Sequence, residues 1–124
     1  MAQYMLLIYD AESAWQDMSE EEQSQVMGEY FAYTEELRGS GAHVAGNALQ
    51  PITTAHSVRV RDGERAVTDG PFAETKEILG GYYLVDVASE DEAFDWAAKI
   101  PSARWGTIEV RPVVVFPDRA EVEA

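Results

Sequence analysis

The sequence contains no cysteine, which excludes a disulfide framework, a thiol nucleophile and a thiolate metal site. Histidine is nearly absent too. His43 and His56 stand apart with no partners at ligand spacing, so the pattern offers no transition-metal centre. Basic residues are scarce: nine against 23 acidic ones, for a formal charge of −14. Such a field repels phosphate backbones and anionic headgroups, so neither nucleic acid nor a membrane surface is an expected partner. Long apolar runs are missing as well, and none approaches the ~20 residues that span a bilayer. The opening stretch has no basic n-region and no small-residue cleavage site; it reads as a first strand, and the expected location is cytoplasmic. Nothing matches a phosphate-binding loop, a dinucleotide fingerprint or a serine elbow, so no cofactor is expected.

What remains is a chain of 124 residues, 46% of them hydrophobic, with room for one domain and one core. The expected division is a single domain over 1–116 and an acidic tail over 117–124. The other acids concentrate at Glu20–Glu22 and Glu90–Glu92, where solvation accounts for them.

The run Tyr4–Tyr9 has strand length and apolar residues on both faces. Ser19-Glu-Glu-Glu22 has the spacing of a capping box, opening a helix that carries Val26, Tyr30, Tyr33 and Leu37 on one stripe up to Gly39 and Gly41. His43–Leu49 reads as a short strand. Val58–Val60 and Ala66–Thr68 flank Asp62-Gly63, the turn signal of a hairpin. Gly81–Val87 is another strand, with Tyr82 and Leu84 on one side and Tyr83, Val85 and Val87 on the other. Ser89-Glu-Asp-Glu92 repeats the capping signature before a helix that Pro101 stops, and Thr107–Val113 closes the order.

The order β-α-β, hairpin, β-α-β is the split βαβ pattern of an α+β, ferredoxin-like fold with an inserted β-hairpin. Two helices cover only one face of a four-stranded sheet, yet the strands at Tyr4–Tyr9 and Gly81–Val87 are apolar on both. A second copy packing sheet to sheet would supply the missing layer, so a homodimer is expected.

The most specific local signal runs from Val67 to Tyr83 and contains Asp69-Gly70-Pro71-Phe72. With the Trp96-Ala-Ala-Lys-Ile-Pro101 helix end and Ile108-Glu-Val-Arg-Pro-Val113, this stretch resembles the DGPF branch of the YCII-related proteins over nearly the whole chain. The resemblance implies a dimeric α+β barrel of ferredoxin-like domains in a group whose general function is poorly defined. Some relatives in the wider group are small-molecule enzymes, and DGPF proteins are often associated with extracytoplasmic-function sigma factors. A sigma factor is therefore one implied partner and a small-molecule ligand the other. The wider group is also noted for a His–Asp pair with its histidine on the first helix. Here that helix has none, and Tyr30 to Tyr33 occupy the neighbourhood.

Around the rigid Gly-Pro turn, Asp69, Lys76 and Glu77 fall close together in sequence. A carboxylate beside an ammonium can orient a proton, which makes Asp69 and Glu77 the candidate catalytic groups and Lys76 a candidate ligand contact. Asp69 can equally cap the turn that follows it, and Lys76 can simply satisfy neighbouring acids. Glu109 and Arg111 share a parity on the last strand. Arg111 suits a carboxylate or enolate ligand through a bidentate contact, or serves as an ion-pair partner for Glu109 or Asp86. No residue is a candidate metal ligand.

Overall fold

The apolar run Tyr4–Tyr9 lies inside the sheet, paired along both of its edges. In the computed structural model, which describes residues 2–116, the chain runs β1 (Ala2–Ala11), α1 (Glu12–Gln16), α2 (Glu20–Ser40), β2 (His43–Ala48), β3 (His56–Arg61), β4 (Glu64–Asp69), β5 (Glu77–Val87), α3 (Glu90–Ala98) and β6 (Thr107–Pro112). Short 3-10 turns occupy Ile52–Thr54 and Pro101–Arg104. The expected tail over 117–124 lies outside the described residues.

Four strands form one antiparallel sheet in the order β2-β5-β1-β6. With α2 and α3 as the crossovers, this is the ferredoxin-like arrangement expected from the element order. Both strands that are apolar on two faces, β1 and β5, take the two inner positions. The edges fall to β2 and β6, and β6 alternates Ile108 and Val110 with Thr107, Glu109 and Arg111 as an edge strand facing one core does.

All the deep packing is on one face. Leu6, Tyr83, Val85 and Val87 of the sheet meet Tyr33 and Leu37 of α2, Ala93 and Ala97 of α3, and Ile100. The opposite parity carries Met5, Leu7, Tyr9, Tyr82 and Leu84, which no helix among the described residues covers; all five are only partly buried. We call this the open face.

Caps explain the helix limits. The Glu22 backbone N–H donates to Ser19 Oγ at 3.1 Å, and the Ser19 backbone N–H donates back to Glu22 Oε1 at 3.4 Å. At α3 the box is shifted: the Glu92 N–H donates to Ser89 Oγ, while the Glu92 carboxylate accepts from the Ala88 N–H instead. Gly39 stays inside α2, and Gly41 ends it in the left-handed region at φ 85°.

Three features depart from the expected elements. The short α1 follows β1 without a sequence signal. β5 begins at Glu77 rather than Gly81, because a register shift between Ile8 and Tyr9 of β1 lets the strand continue through Gly80-Gly81. β6 ends at Pro112, one residue short of the expected Val113, whose N–H still donates to the Gln3 carbonyl at 3.0 Å. The inserted hairpin, β3–β4, is a separate two-stranded sheet whose turn places Asp62 at φ 53° and Gly63 at φ 76°, the signature of a two-residue hairpin loop.

Candidate functional site

Asp69 ends β4 directly opposite His56 at the start of β3. Its carboxylate lies 3.1 Å from His56 Nδ1, and its side chain is 98% exposed. Hydrogen bonds then tie the Gly-Pro turn to β3, with Gly70 N–H donating to the Ala55 carbonyl and Ser57 Oγ donating to the Gly70 carbonyl. The His56 contact follows from the hairpin's own register, since both residues are equally far from the Asp62-Gly63 turn. Lys76 is exposed just before β5, and among the described residues it enters no ion pair.

Glu77 is the first residue of β5, opposite Ala11. Glu109 and Arg111 stand on β6 opposite Leu7 and Met5, on the open face. Among the described residues Glu109 and Arg111 form no ion pair with each other or with Asp86. Asp86 shares this face through its pairing with Gln3, and its Oδ1 is buried with no hydrogen-bond partner. The sheet register thus groups Glu109 with Arg111 and sets Glu77 six residues further along β1 from Arg111, roughly 20 Å at the usual strand rise. Within one chain, the residues around the Gly-Pro turn and those on β6 form two separate groups.

A second cluster, unanticipated from the sequence, sits where β1 leaves the sheet. Burial pushes the Asp10 carboxyl above its ordinary value; the Trp105 indole N–H, donating to it at 3.5 Å, works against that, and nearby Glu77 adds to it. Gly106 makes the approach possible, because a Cβ there would sit 2.2 Å from the Tyr9 carbonyl oxygen. Tyr30, raised above the ordinary phenol range chiefly by burial, shares a 2.5 Å hydrogen bond with Ser102 Oγ. No local motif joins Asp10 to Trp105. A lone aspartate closing an apolar strand is the one signal the sequence carried.

A model of the YCII-related domain matches residues 2–117. The chain belongs to the YCII-related family. An uncharacterised protein of Rhizobium meliloti (strain 1021) is 41% identical over 115 residues, covering 91% of this chain and 93% of that relative.

In this YCII-related chain the tyrosines of α2, Tyr30 and Tyr33, are hydrogen-bonded rather than free. The Tyr33 hydroxyl donates to the Trp96 carbonyl at 2.9 Å, and its ring meets Tyr83 edge-on at 5.1 Å. Tyr83 in turn shares a 2.7 Å hydrogen bond with Thr34. Burial drives the Tyr33 phenol far up, so it stays protonated and acts as a packing and hydrogen-bonding residue. The groove between α2 and α3, about 280 Å³, is straddled by the Glu29–Arg104 and Glu36–Lys99 pairs. These are partly exposed surface pairs that tie α2 to the residues following α3.

Proposed function

We propose that this YCII-related chain, a member of the DGPF branch by its Asp69-to-Phe72 turn, is a homodimer that binds or acts on a small anionic metabolite against the open sheet face, without a cofactor. One observation carries the reading. Arg111 is the only basic residue at a strand position of that face, and it has no ion-pair partner among the described residues. Around it lie Met5, Leu7 and Leu84, an apolar floor. A planar guanidinium over such a floor takes a carboxylate in bidentate fashion while the floor receives the ligand's apolar body. Glu109, on the same side of β6, completes the ligand contacts; Lys76, Asp69 and Glu77 belong to the other group, roughly 20 Å away within one chain.

Calorimetry with benzoate, and with neutral benzamide as control, tests the site. Benzoate binds to the wild-type dimer and benzamide does not; Arg111→Met removes the benzoate signal while the protein stays folded. Equal benzoate affinity in wild type and Arg111→Met would retire Arg111 as the anchor. The charge of −14 supports a second reading, a non-catalytic partner of an extracytoplasmic-function sigma factor, since an acidic surface suits a basic one. Its signature is a salt-sensitive complex with a sigma factor, unchanged by Arg111→Met.

A further inference from the structure

One acidic side chain on the open face lacks the partner that its burial calls for. Asp86 shares the parity of Tyr82 and Leu84 on β5, between Val85 and Val87, which are buried against the helices. Its Oδ1 is enclosed and accepts no hydrogen bond, and among the described residues the carboxylate enters no ion pair. Buried oxygens in native proteins almost always have a donor, and a carboxylate left without one is costly. The residue's own N–H is used elsewhere, donating to the Ala42 carbonyl at 2.8 Å. Lys99, which borders the same cavity as Asp86, is held by Glu36 and lies 5.1 Å from the centre of the Trp96 ring. Asp86 as a whole is only partly buried, so Oδ2 is the oxygen within reach of a ligand.

The sheet register fixes where this carboxylate stands relative to Arg111. Asp86 pairs with Gln3 and Arg111 with Met5, from opposite edges of β1. Gln3 and Met5 share the open face, so both charged residues rise from that face with β1 between them. Two strand spacings across and two residues along separate their Cα atoms by about 12 Å. The two do not pair with each other. A contact of ~3 Å at each end leaves roughly 6 Å between the charged groups of a bridging ligand. A ligand with both signs also suits the chain's formal charge of −14, since it brings no net charge against that field.

We propose that the open face binds an ω-amino carboxylate, its carboxylate on Arg111, its ammonium on Asp86 and its methylene chain across Gln3 and Met5. The inference rests on the ligand-binding reading above and names the ligand class. The ammonium brings the N–H donors that Asp86 lacks, and a charge-assisted bond to Oδ2 is the strong kind. Met5, with Leu84 opposite it, is the apolar stretch beneath the methylenes. An α-amino acid, whose ammonium and carboxylate share one carbon, is too short to bridge the two side chains. A chain of the length of 5-aminopentanoate spans them.

Calorimetry on the full-length protein with 5-aminopentanoate, pentanoate and glycine tests the assignment. In wild type, 5-aminopentanoate should bind about tenfold or more tightly than pentanoate, the effect expected of one hydrogen bond between charged groups. Glycine should bind no better than pentanoate. Asp86→Asn keeps the shape of the side chain; it should bring 5-aminopentanoate down to the affinity of pentanoate without weakening pentanoate itself, with an unchanged circular dichroism spectrum. Equal binding of 5-aminopentanoate and pentanoate to wild type overturns the assignment, as does a preference that survives in Asp86→Asn. Glycine binding as tightly as 5-aminopentanoate overturns the span. In each of those cases, benzoate binding that depends on Arg111 leaves the anion-binding reading standing. If no carboxylate binds wild type, both fall.

Discussion

At the residue scale, the group with the clearest consequence is Asp10. Its carboxyl is raised above 3.8 in the folded chain, chiefly by burial. Just above 3.8, therefore, the folded state holds more protons than the unfolded one, and stability falls as pH rises through the raised value. Asp10→Asn removes that loss while keeping an acceptor for the Trp105 N–H. The variant should melt at a higher temperature than wild type near neutral pH, and the difference should shrink as pH is lowered toward 3.8. A difference that stays constant from pH 4 to 8 would mean that Asp10 ionises freely. The charged residues around the turn and on β6 behave differently, being exposed. Alanine at Asp69, Lys76 or Arg111 should shift stability by less than ~1 kcal/mol, as surface pairs do, and thermal melts check this. A loss of several kcal/mol at any of them would make that residue structural. How much of this was legible depends on sequence distance. His56 and Asp69 can be paired by counting outward from Asp62-Gly63. Asp10 and Trp105 are 95 residues apart, and only the completed sheet brings them together.

At the scale of elements, local chemistry decided most of the ends. Ser19 and Glu22 satisfy each other's backbone N–H groups, so Ser19→Ala should cost ~1 kcal/mol in chemical denaturation without altering the fold. The same reasoning located α3 and the hairpin, because a cap or a two-residue turn is written in neighbouring residues. It failed at β5. Gly81 reads as the start of the strand, but Gly80 is an extra residue between the pairs Ile8–Gly81 and Tyr9–Leu79, and the pairing that carries β5 on to Glu77 lies some seventy positions away in β1. It failed again at α1, which has no side-chain cap and no buried residue to announce it. The candidate site divides along the same line. Parity alone placed Glu109 and Arg111 on one face, whereas their separation from Glu77 is a matter of register between strands far apart in sequence.

For the whole molecule, the two-sided apolar strands remain the main argument. Val85 is fully buried under the helices, while its neighbour Leu84, on the other parity, is only half-covered within one chain. Leu84→Glu should therefore dissociate a dimer into folded monomers, visible as a halved sedimentation mass with an unchanged circular dichroism spectrum. A variant that stays dimeric would place the interface elsewhere. The sheet order also sets when the molecule can be finished. β1 is made first, but both of its edges belong to strands made late, β5 at Glu77–Val87 and β6 at Thr107–Pro112. At ribosomal speeds of ~5–20 residues per second, roughly 5–20 s pass between emergence of β1 and arrival of its last partner. Throughout that interval the most apolar segment of the chain waits unpaired, first on one edge and then on the other. A stop codon just before β6 would leave a central strand with one edge open to any neighbouring chain.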